Sequence, residues 1–317
     1  MSQAFLKHIL LVRLSALGDV AILQPVLRQR AKENPDVLFS VSGPPLLEPL
    51  FAGIGNVRYL PTPRKQSPRQ LYRQLAPLKP DIVADMHHVL RTIELSWIFR
   101  LHGVPVISID KRKPHNSPAW QRYDNVLSQC GLAGKTVTPG EMLRPQPSDN
   151  GIVRIGIAPF AQHQGKCYPL ELMERVVEQL ARDSRVRILL FGSSTESQQM
   201  QPWADRYPNV ENHAGKHSFE EELALISSLS AMLSMDSSNM HFASCLGIPV
   251  VSVWGATHPC RGFYGWRQDP ANAVQLDIPC RPCSKYGKKP CRYGDYPCLK
   301  NIAPEEIVAR LQSLLSL

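Results

Sequence analysis

Residues 235–259 read MDSSNMHFASCLGIPVVSVWGATHP. The apolar run that ends at Met235 predicts a buried strand. It is followed by Asp236–Asn239, four residues whose short side chains favour the start of a helix because they can cap the first turn. The helix is predicted to stop at Gly247, before a second apolar run at Val250–Trp254. A helix that begins directly after a parallel strand presents free N–H groups and a positive dipole end, so this stretch predicts a phosphate-binding site.

The same strand–helix alternation is found on both sides of this stretch, which predicts parallel sheets in an α/β protein. The alternation lapses only between Gly131 and Gly151, where proline, glycine and polar residues predict a linker between two domains. Two such domains are expected to leave a cleft at the carboxyl ends of both sheets.

Composition narrows the class of protein. The chain has 317 residues, of which 43% are hydrophobic and 20% charged, as in globular proteins. The N-terminus lacks the basic start and cleavage site of a signal peptide, and no apolar run approaches the roughly 20 residues of a membrane span, so a cytoplasmic protein is expected. The net charge of +9 suits nucleic acid, an anionic membrane surface or a polyanionic substrate.

Several polar residues follow predicted strands, where open α/β sheets bind ligands. Asp19 is a candidate general base or a helix cap, and Lys166 is a candidate phosphate ligand or a solvated loop lysine. Glu196, in the segment Gly192–Glu196, could accept hydrogen bonds from a ribose or cap the next helix. His241 lies one turn into the central helix and faces either a ligand or the sheet.

A cysteine-rich segment lies near the end of the chain. Its four thiols fall within nineteen residues among prolines and glycines, so the segment has little apolar surface with which to order itself. A tetrahedral zinc site, an iron–sulfur cluster and two disulfides are all open interpretations. The four residues are Cys280, Cys283, Cys291 and Cys298.

Four motifs together resemble glycosyltransferase family 9, the ADP-heptose:lipopolysaccharide heptosyltransferases. Arg13–Val20 (RLSALGDV) resembles the opening of that family, and Asp236–Ala243 (DSSNMHFA) with LGIPVV resembles its central motif. Gly255–Pro259 (GATHP) and Cys280–Cys283 (CRPC), followed by IAPEEI, are similar to the end of many members. The motifs occur in the family's order along the whole chain.

The resemblance implies a GT-B fold: two Rossmann-like domains facing across a cleft, with the C-terminal helix crossing back to the first domain. The implied divisions are an acceptor-binding domain at 1–145, a nucleotide-sugar-binding domain at 146–302 with the cysteine-rich loop 280–298, and the helix at 303–317. Asp19 matches the proposed general base. The residues matched to donor or phosphate binding are Gly18, Lys166, Ser193, Glu196, His217, Asp236, Ser237, Ser238 and His241.

The implied reaction is an inverting, metal-independent transfer of a heptose from an ADP-sugar to a lipopolysaccharide core acceptor. No cofactor is expected for catalysis, and the four cysteines are a candidate site for a structural zinc or iron–sulfur cluster. The expected partners are a nucleotide-sugar donor, an anionic glycolipid acceptor and the inner face of a membrane, with no nucleic acid and a monomeric chain. The alternatives are a transferase for another nucleotide sugar, a nucleotide-sugar epimerase and a basic, zinc-stabilised nucleic-acid-binding protein.

Overall fold

The fold was analysed in a computed structural model that describes residues 5–110, 117–145 and 151–317. The chain divides into two compact units, Met1–Thr138 and Pro139–Leu317. The boundary predicted from the sequence, at 145/146, lies a few residues later and borders residues 146–150, which are outside the described ranges.

The first unit is built on a parallel sheet of five strands in the order β3-β2-β1-β4-β5. Strands alternate with helices along the chain, as the sequence pattern predicts. The elements are β1 (Lys7–Val12), α1 (Leu17–Glu33), β2 (Val37–Gly43), β3 (Val57–Pro61), α2 (Pro68–Leu75), β4 (Ile82–Asp85), α3 (Leu90–Leu101), β5 (Val106–Ser108) and α4 (Ala119–Gln129), with short 3-10 helices at Pro45–Phe51 and Ala76–Leu78.

The second unit has a parallel sheet of six strands in the order β11-β10-β9-β6-β7-β8. Its strands and long helices are β6 (Val153–Ala158), α5 (Leu170–Ala181), β7 (Val186–Leu190), α6 (Ser194–Arg206), β8 (Val210–Asn212), α7 (Phe219–Ser227), β9 (Ala231–Met235), α8 (Ser238–Cys245), β10 (Val250–Trp254), β11 (Ala273–Gln275), α9 (Pro297–Lys300) and α10 (Pro304–Leu315). Single 3-10 turns lie at Gln164–Lys166, Pro259–Arg261 and Pro270–Asn272.

Central strands are buried along their whole length and mostly apolar, because helices cover both faces of a parallel sheet. All five residues of β9 and of β10 are buried. This explains why these strands appear in the sequence as continuous apolar runs and not as an alternating pattern.

Both sheets reverse their strand order at a central pair of strands, β1 and β4 in the first unit and β6 and β9 in the second. In open α/β sheets ligands bind outside the carboxyl ends of strands at such a switch point. Val12 pairs with Asp85 at this edge of the first sheet, and Ala158 pairs with Ser234 at this edge of the second. The loops that leave these four strands are therefore where a functional site is expected.

The C-terminal helix α10 contributes Ile307 and Leu311 to the core of the second unit. Tyr168 fixes the approach to this helix, because its buried hydroxyl donates to the carbonyl of Ile302 at 2.7 Å. That the helix also reaches the first unit, as the family resemblance implies, stays a prediction.

No helix within the described residues is long and apolar enough to cross a membrane.

Candidate functional site

The carboxyl ends of β6 and β9 bring Lys166 and Asp236 together. The Lys166 Nζ atom lies 2.8 Å from Asp236 Oδ2, and the two side chains are 18% and 6% exposed. The hydroxyl of Thr257 donates to the same carboxylate oxygen at 2.7 Å. Asp236 therefore holds Lys166 in place, and its carboxylate does not cap the following helix.

Helix α8 begins immediately after this ion pair. Ser237 is its N-cap residue and has extended backbone angles, while Ser238 is the first helical residue. The Ser237 side chain makes no capping bond; its hydroxyl lies 3.1 Å from that of Ser234. Backbone N–H groups at the start of a helix and its dipole favour an anion, and Lys166 adds a full positive charge nearby.

His241 lies in the first half of the same helix and is only 5% exposed. The side chain is therefore buried, and whether it faces a ligand or the sheet is not tested by this burial. A contact between His241 and a ligand stays a prediction.

Three glycine-containing loops pack closely around Lys166. The N–H of Ala256 donates to the carbonyl of Gly165 at 2.8 Å, and the N–H of Ser284 donates to the carbonyl of Ala256 at 3.1 Å. Gly287 lies against the side chain of Lys166: a Cβ atom on Gly287 would be 2.7 Å from Lys166 Cγ. The cysteine-rich loop thus forms one wall of the lysine site.

Arg281 fastens this loop to the segment that carries Thr257. Its guanidinium donates to the carbonyl of Thr257 at 2.9 Å, to the side chain of Gln275 at 3.0 Å, and to the carbonyls of Gly255 and Leu276. Burial lowers the pKa of this arginine, and nearby thiols oppose that effect. Arg281 therefore links the cysteine-rich loop to the hydrogen-bond chain that ends at Lys166.

The four cysteines of the loop carry free thiols, so the interpretation as two disulfides is wrong. Within the described ranges, no group of three or more His, Cys, Asp or Glu side chains is placed to hold a metal ion. The tentative metal site at Cys280, Cys283, Cys291 and Cys298 is therefore not formed in the structure.

The loop after β7 forms a helix cap. Ser193 is the N-cap of α6, and the Glu196 carboxylate accepts hydrogen bonds from the Ser193 N–H at 2.7 Å and its hydroxyl at 2.8 Å. His217 lies further along the chain, with its ring stacked on that of His213 at 5.1 Å between centroids. Glu196 thus makes the helix-capping contact that the sequence offered as an alternative to ribose binding. A role of Ser193, Glu196 and His217 beside a nucleotide stays a prediction.

In the first unit, Asp19 pairs with Arg13 at the end of β1. The Arg13 Nη2 and Asp19 Oδ2 atoms are 2.6 Å apart, with side-chain exposures of 10% and 18%. The sequence predicts a turn at Leu14–Asp19 and a helix from Val20, but helix α1 starts at Leu17, so Gly18 and Asp19 belong to its first turn. The carboxylate also accepts a 3.4 Å hydrogen bond from the N–H of Ala16, which explains the earlier helix start.

The neighbouring strand β4 ends in a second polar cluster. Asp85 is buried, and its Oδ1 atom accepts hydrogen bonds from the N–H groups of His87 at 3.0 Å and His88 at 2.8 Å. The His87 ring lies 3.3 Å from the Ser15 hydroxyl, in the loop that leads to Asp19. A carboxylate, an imidazole and a hydroxyl at one sheet edge can orient and deprotonate a hydroxyl group.

Sequence reasoning had not assigned site roles to Arg13, Asp85, Thr257, Arg281 or Gly287. The first two lie at the ends of predicted strands, a position that already marks a residue as a candidate. Thr257 belongs to the GATHP motif, so the sequence could have marked it as a candidate partner of Asp236. Gly287 could not be predicted as a site residue from the sequence, because its contact with Lys166 depends on the course of a loop that has no periodic pattern.

The family model described as "Glycosyltransferase family 9 (heptosyltransferase)" matches residues 81–294, about two thirds of the chain. The lipopolysaccharide heptosyltransferase 1 of Pseudomonas aeruginosa is 25% identical in an alignment that covers 97% of this chain and 98% of the relative.

Two solved structures share the fold. The family 9 glycosyl transferase of Veillonella parvula has a TM-score of 0.78 at 20% identity and covers 100% of this chain and 99% of its own. The ADP-heptose LPS heptosyltransferase II of E. coli has a TM-score of 0.73 at 18% identity, with 98% of both chains covered. These likenesses and the two parallel-sheet units confirm the predicted GT-B fold.

The ordered motifs, the fold and the match of the family model over most of the chain lead to one conclusion: this protein is a glycosyltransferase that belongs to family 9.

Proposed function

We propose that the protein transfers a heptose, or a closely related sugar, from an ADP-sugar to a lipopolysaccharide core or similar glycan, with inversion at the anomeric carbon. The observation that supports this best is the Lys166–Asp236–Thr257 chain beside the start of α8. It provides a fixed cation and helix dipole of the kind that suits the diphosphate of a nucleotide sugar. The similar E. coli structure is that of an ADP-heptose LPS heptosyltransferase, which motivates the choice of donor.

On the donor side, the leaving group is a nucleoside diphosphate whose charge grows as the glycosidic bond breaks. Lys166 and the first N–H groups of α8 are the groups proposed to stabilise that charge. An aimed donor of this kind typically contributes about 3–4 kcal/mol to transition-state stabilisation. In this mechanism the lysine and the helix dipole take the role that a divalent cation has in other transferases.

On the acceptor side, Asp19 is proposed to remove the proton from the attacking hydroxyl, a contribution of about 100- to 10,000-fold in rate. Arg13, 2.6 Å away, fixes the direction of the carboxylate. His87 and Ser15 are placed to hydrogen-bond a sugar hydroxyl nearby. Attack in line with the departing diphosphate then inverts the configuration of the transferred sugar.

The proposed acceptor is an anionic, lipid-anchored saccharide. The net charge of +9 suits such a substrate and the anionic surface in which it is embedded. We further propose that the chain works as a monomer at the inner face of the membrane and does not use nucleic acid as a partner.

The test uses Asp19→Asn, which removes the carboxylate charge and keeps the side chain's size. ADP affinity measured by calorimetry is expected to stay within about twofold, while sugar transfer falls by 100-fold or more. Asp36→Asn is the control, because Asp36 is an exposed acid on the same unit. Undiminished transfer by Asp19→Asn would refute the base assignment.

A thermal-shift comparison of ADP, GDP and UDP tests the donor separately. We expect the largest stabilisation with ADP, because a ligand stabilises in proportion to the logarithm of its concentration over its dissociation constant. Preference for UDP or GDP would overturn the ADP-sugar assignment, and turnover of donor without acceptor would favour an epimerase.

A further inference from the structure

Helix α3 of the first unit presents a line of large apolar side chains to solvent. Leu90 is 74% exposed, Trp97 60% and Leu101 81%. At 3.6 residues per turn, these three positions lie within about 40° of one another around the helix axis. We call Leu90, Trp97 and Leu101 the apolar strip; it runs for roughly 17 Å along the helix at 1.5 Å per residue.

The strip is not the face that packs the helix onto its unit. Leu95 and Phe99 point the other way and belong to the buried cluster that also contains Leu71 and Leu75 of α2. The helix is thus apolar on two opposite faces, one covered by its own unit and one facing solvent. A helix that only closes a domain normally carries polar residues on its outer face, so the strip is unexplained by folding.

Basic side chains border the strip. The Arg100 guanidinium lies 6.0 Å from the centre of the Trp97 ring, and Arg91 flanks the other side of the helix start. The adjacent helix α2 adds exposed Arg69 and Arg73. Between Arg58 and Val104 the sequence has eight Lys or Arg residues against three Asp or Glu. Glu94 is an exposed acid on the same helix, so the side chains around the strip carry a net positive charge and not a uniform one.

The strip also starts next to the acceptor-side cluster. Leu90 is the first residue of α3 and follows His88 by two positions, directly after the strand end that carries Asp85. A surface that binds the strip would be held close to the groups proposed to receive the acceptor.

We propose that the apolar strip and its arginines dock the protein on the surface of an anionic phospholipid bilayer. Tryptophan and leucine enter the interfacial region while arginine side chains remain with the lipid phosphates. A second copy of the chain fits less well, because a symmetric contact would bring two positive surfaces together. The use of this docking rests on the proposed function, since it brings a lipid-anchored acceptor to the site.

The experiment measures binding of the full chain to sugar-free vesicles made of a three-to-one mixture of phosphatidylcholine and phosphatidylglycerol. Vesicle flotation of the native protein is compared with that of Trp97→Gln combined with Leu101→Gln. Each buried apolar side chain contributes on the order of tenfold to partitioning, so the double variant is expected to bind at least tenfold more weakly. Leu46→Gln, an exposed leucine of the same unit (48%) outside the strip, should bind as the native chain does.

Three results would overturn the proposal: no binding of the native chain, equal binding of the double variant, or a native dimer that the double variant converts to monomer in light scattering. Melting temperature and ADP affinity of the double variant are recorded so that misfolding is recognised. If the double variant misfolds, the single variant Leu90→Gln is used in its place. The vesicles contain no donor or acceptor, so this experiment tests docking separately from sugar transfer. Loss of docking with transfer to a soluble acceptor intact would refute only the docking proposal. Docking without any transfer would refute only the proposed function.

Discussion

Replacing Gly287 by alanine tests whether the cysteine-rich loop positions Lys166. The added Cβ would lie 2.7 Å from Lys166 Cγ and 3.3 Å from Cδ and Cε, whereas ordinary contacts begin at 3.4 Å. The lysine side chain must therefore move by about 0.7 Å, since packed interiors leave little free space. The 2.8 Å bond from Lys166 to Asp236 cannot keep its geometry after such a shift.

A hydrogen bond to a charged group is worth about 1.5–3 kcal/mol net. If the displaced ammonium loses one such bond to a nucleoside diphosphate, ADP affinity falls by about tenfold or more, because 1.4 kcal/mol equals a factor of ten. Isothermal titration of the variant with ADP measures this loss directly.

Gly294→Ala is the matched control. Gly294 lies in the same loop with φ +86°, close to the +76° of Gly287, but a Cβ there would meet nothing within 4 Å. Both substitutions place alanine in the left-handed region at a cost of about 1–2 kcal/mol, so their melting temperatures should fall alike. Only Gly287→Ala is expected to weaken ADP binding.

The reasoning is refuted if the two variants bind ADP equally well. It is also refuted if Gly287→Ala has its full effect in a Lys166→Met background, because the effect would then not act through the lysine. Acetylation of Lys166 by acetic anhydride, followed by mass spectrometry, reports the displacement without any nucleotide. That measurement separates a failure of the packing argument from a failure of the proposed donor.

Three further predictions concern stability and thiol chemistry. Asp124→Asn removes the nearer of the two carboxylates paired with the buried Arg30, at 2.7 Å against 3.9 Å for Glu33, and should lower the free energy of unfolding by about 3 kcal/mol in urea; a loss under about 1 kcal/mol would contradict the buried pair. Burial raises the pKa of Cys298 to about 11. About one thiol in a thousand is then ionised at pH 8, so alkylation by iodoacetamide should be slow and rise about tenfold per pH unit up to pH 10; rapid labelling at pH 8 would contradict this. Tyr168→Phe removes the hydrogen bond to the Ile302 carbonyl, and we expect a loss of about 1–2 kcal/mol in unfolding free energy with unchanged ADP affinity.

Much of the fold was predictable because its signals are local. Apolar runs such as Val250–Trp254 mark buried parallel strands, and Gly247 marks a helix end. The position of Asp19 and Lys166 after strands was enough to select them as site candidates. The family motifs then joined these separate signals into one fold.

The remaining features depend on contacts between distant segments. The sequence predicts a turn at Leu14–Asp19, but the Asp19 carboxylate accepts a hydrogen bond from the Ala16 N–H and the helix begins earlier, at Leu17. Four close cysteines suggested a metal or disulfides, whereas the structure has four free thiols and holds their loop through Arg281, which donates to the carbonyls of Gly255 and Thr257. No property of a single segment distinguishes these outcomes.

The pairing of Lys166 with Asp236 has a consequence for which anions can occupy the site. The lysine is already neutralised by a carboxylate 2.8 Å away, so an entering anion must share the ammonium and tolerate a nearby negative charge. We therefore expect free phosphate or chloride to bind weakly, because neither anion makes further contacts that would offset the nearby carboxylate. A nucleotide can offset the repulsion with contacts made by its base and ribose. If the proposed function is correct, the same carboxylate should compete for the lysine once the sugar has left, and so favour release of the diphosphate and limit product inhibition.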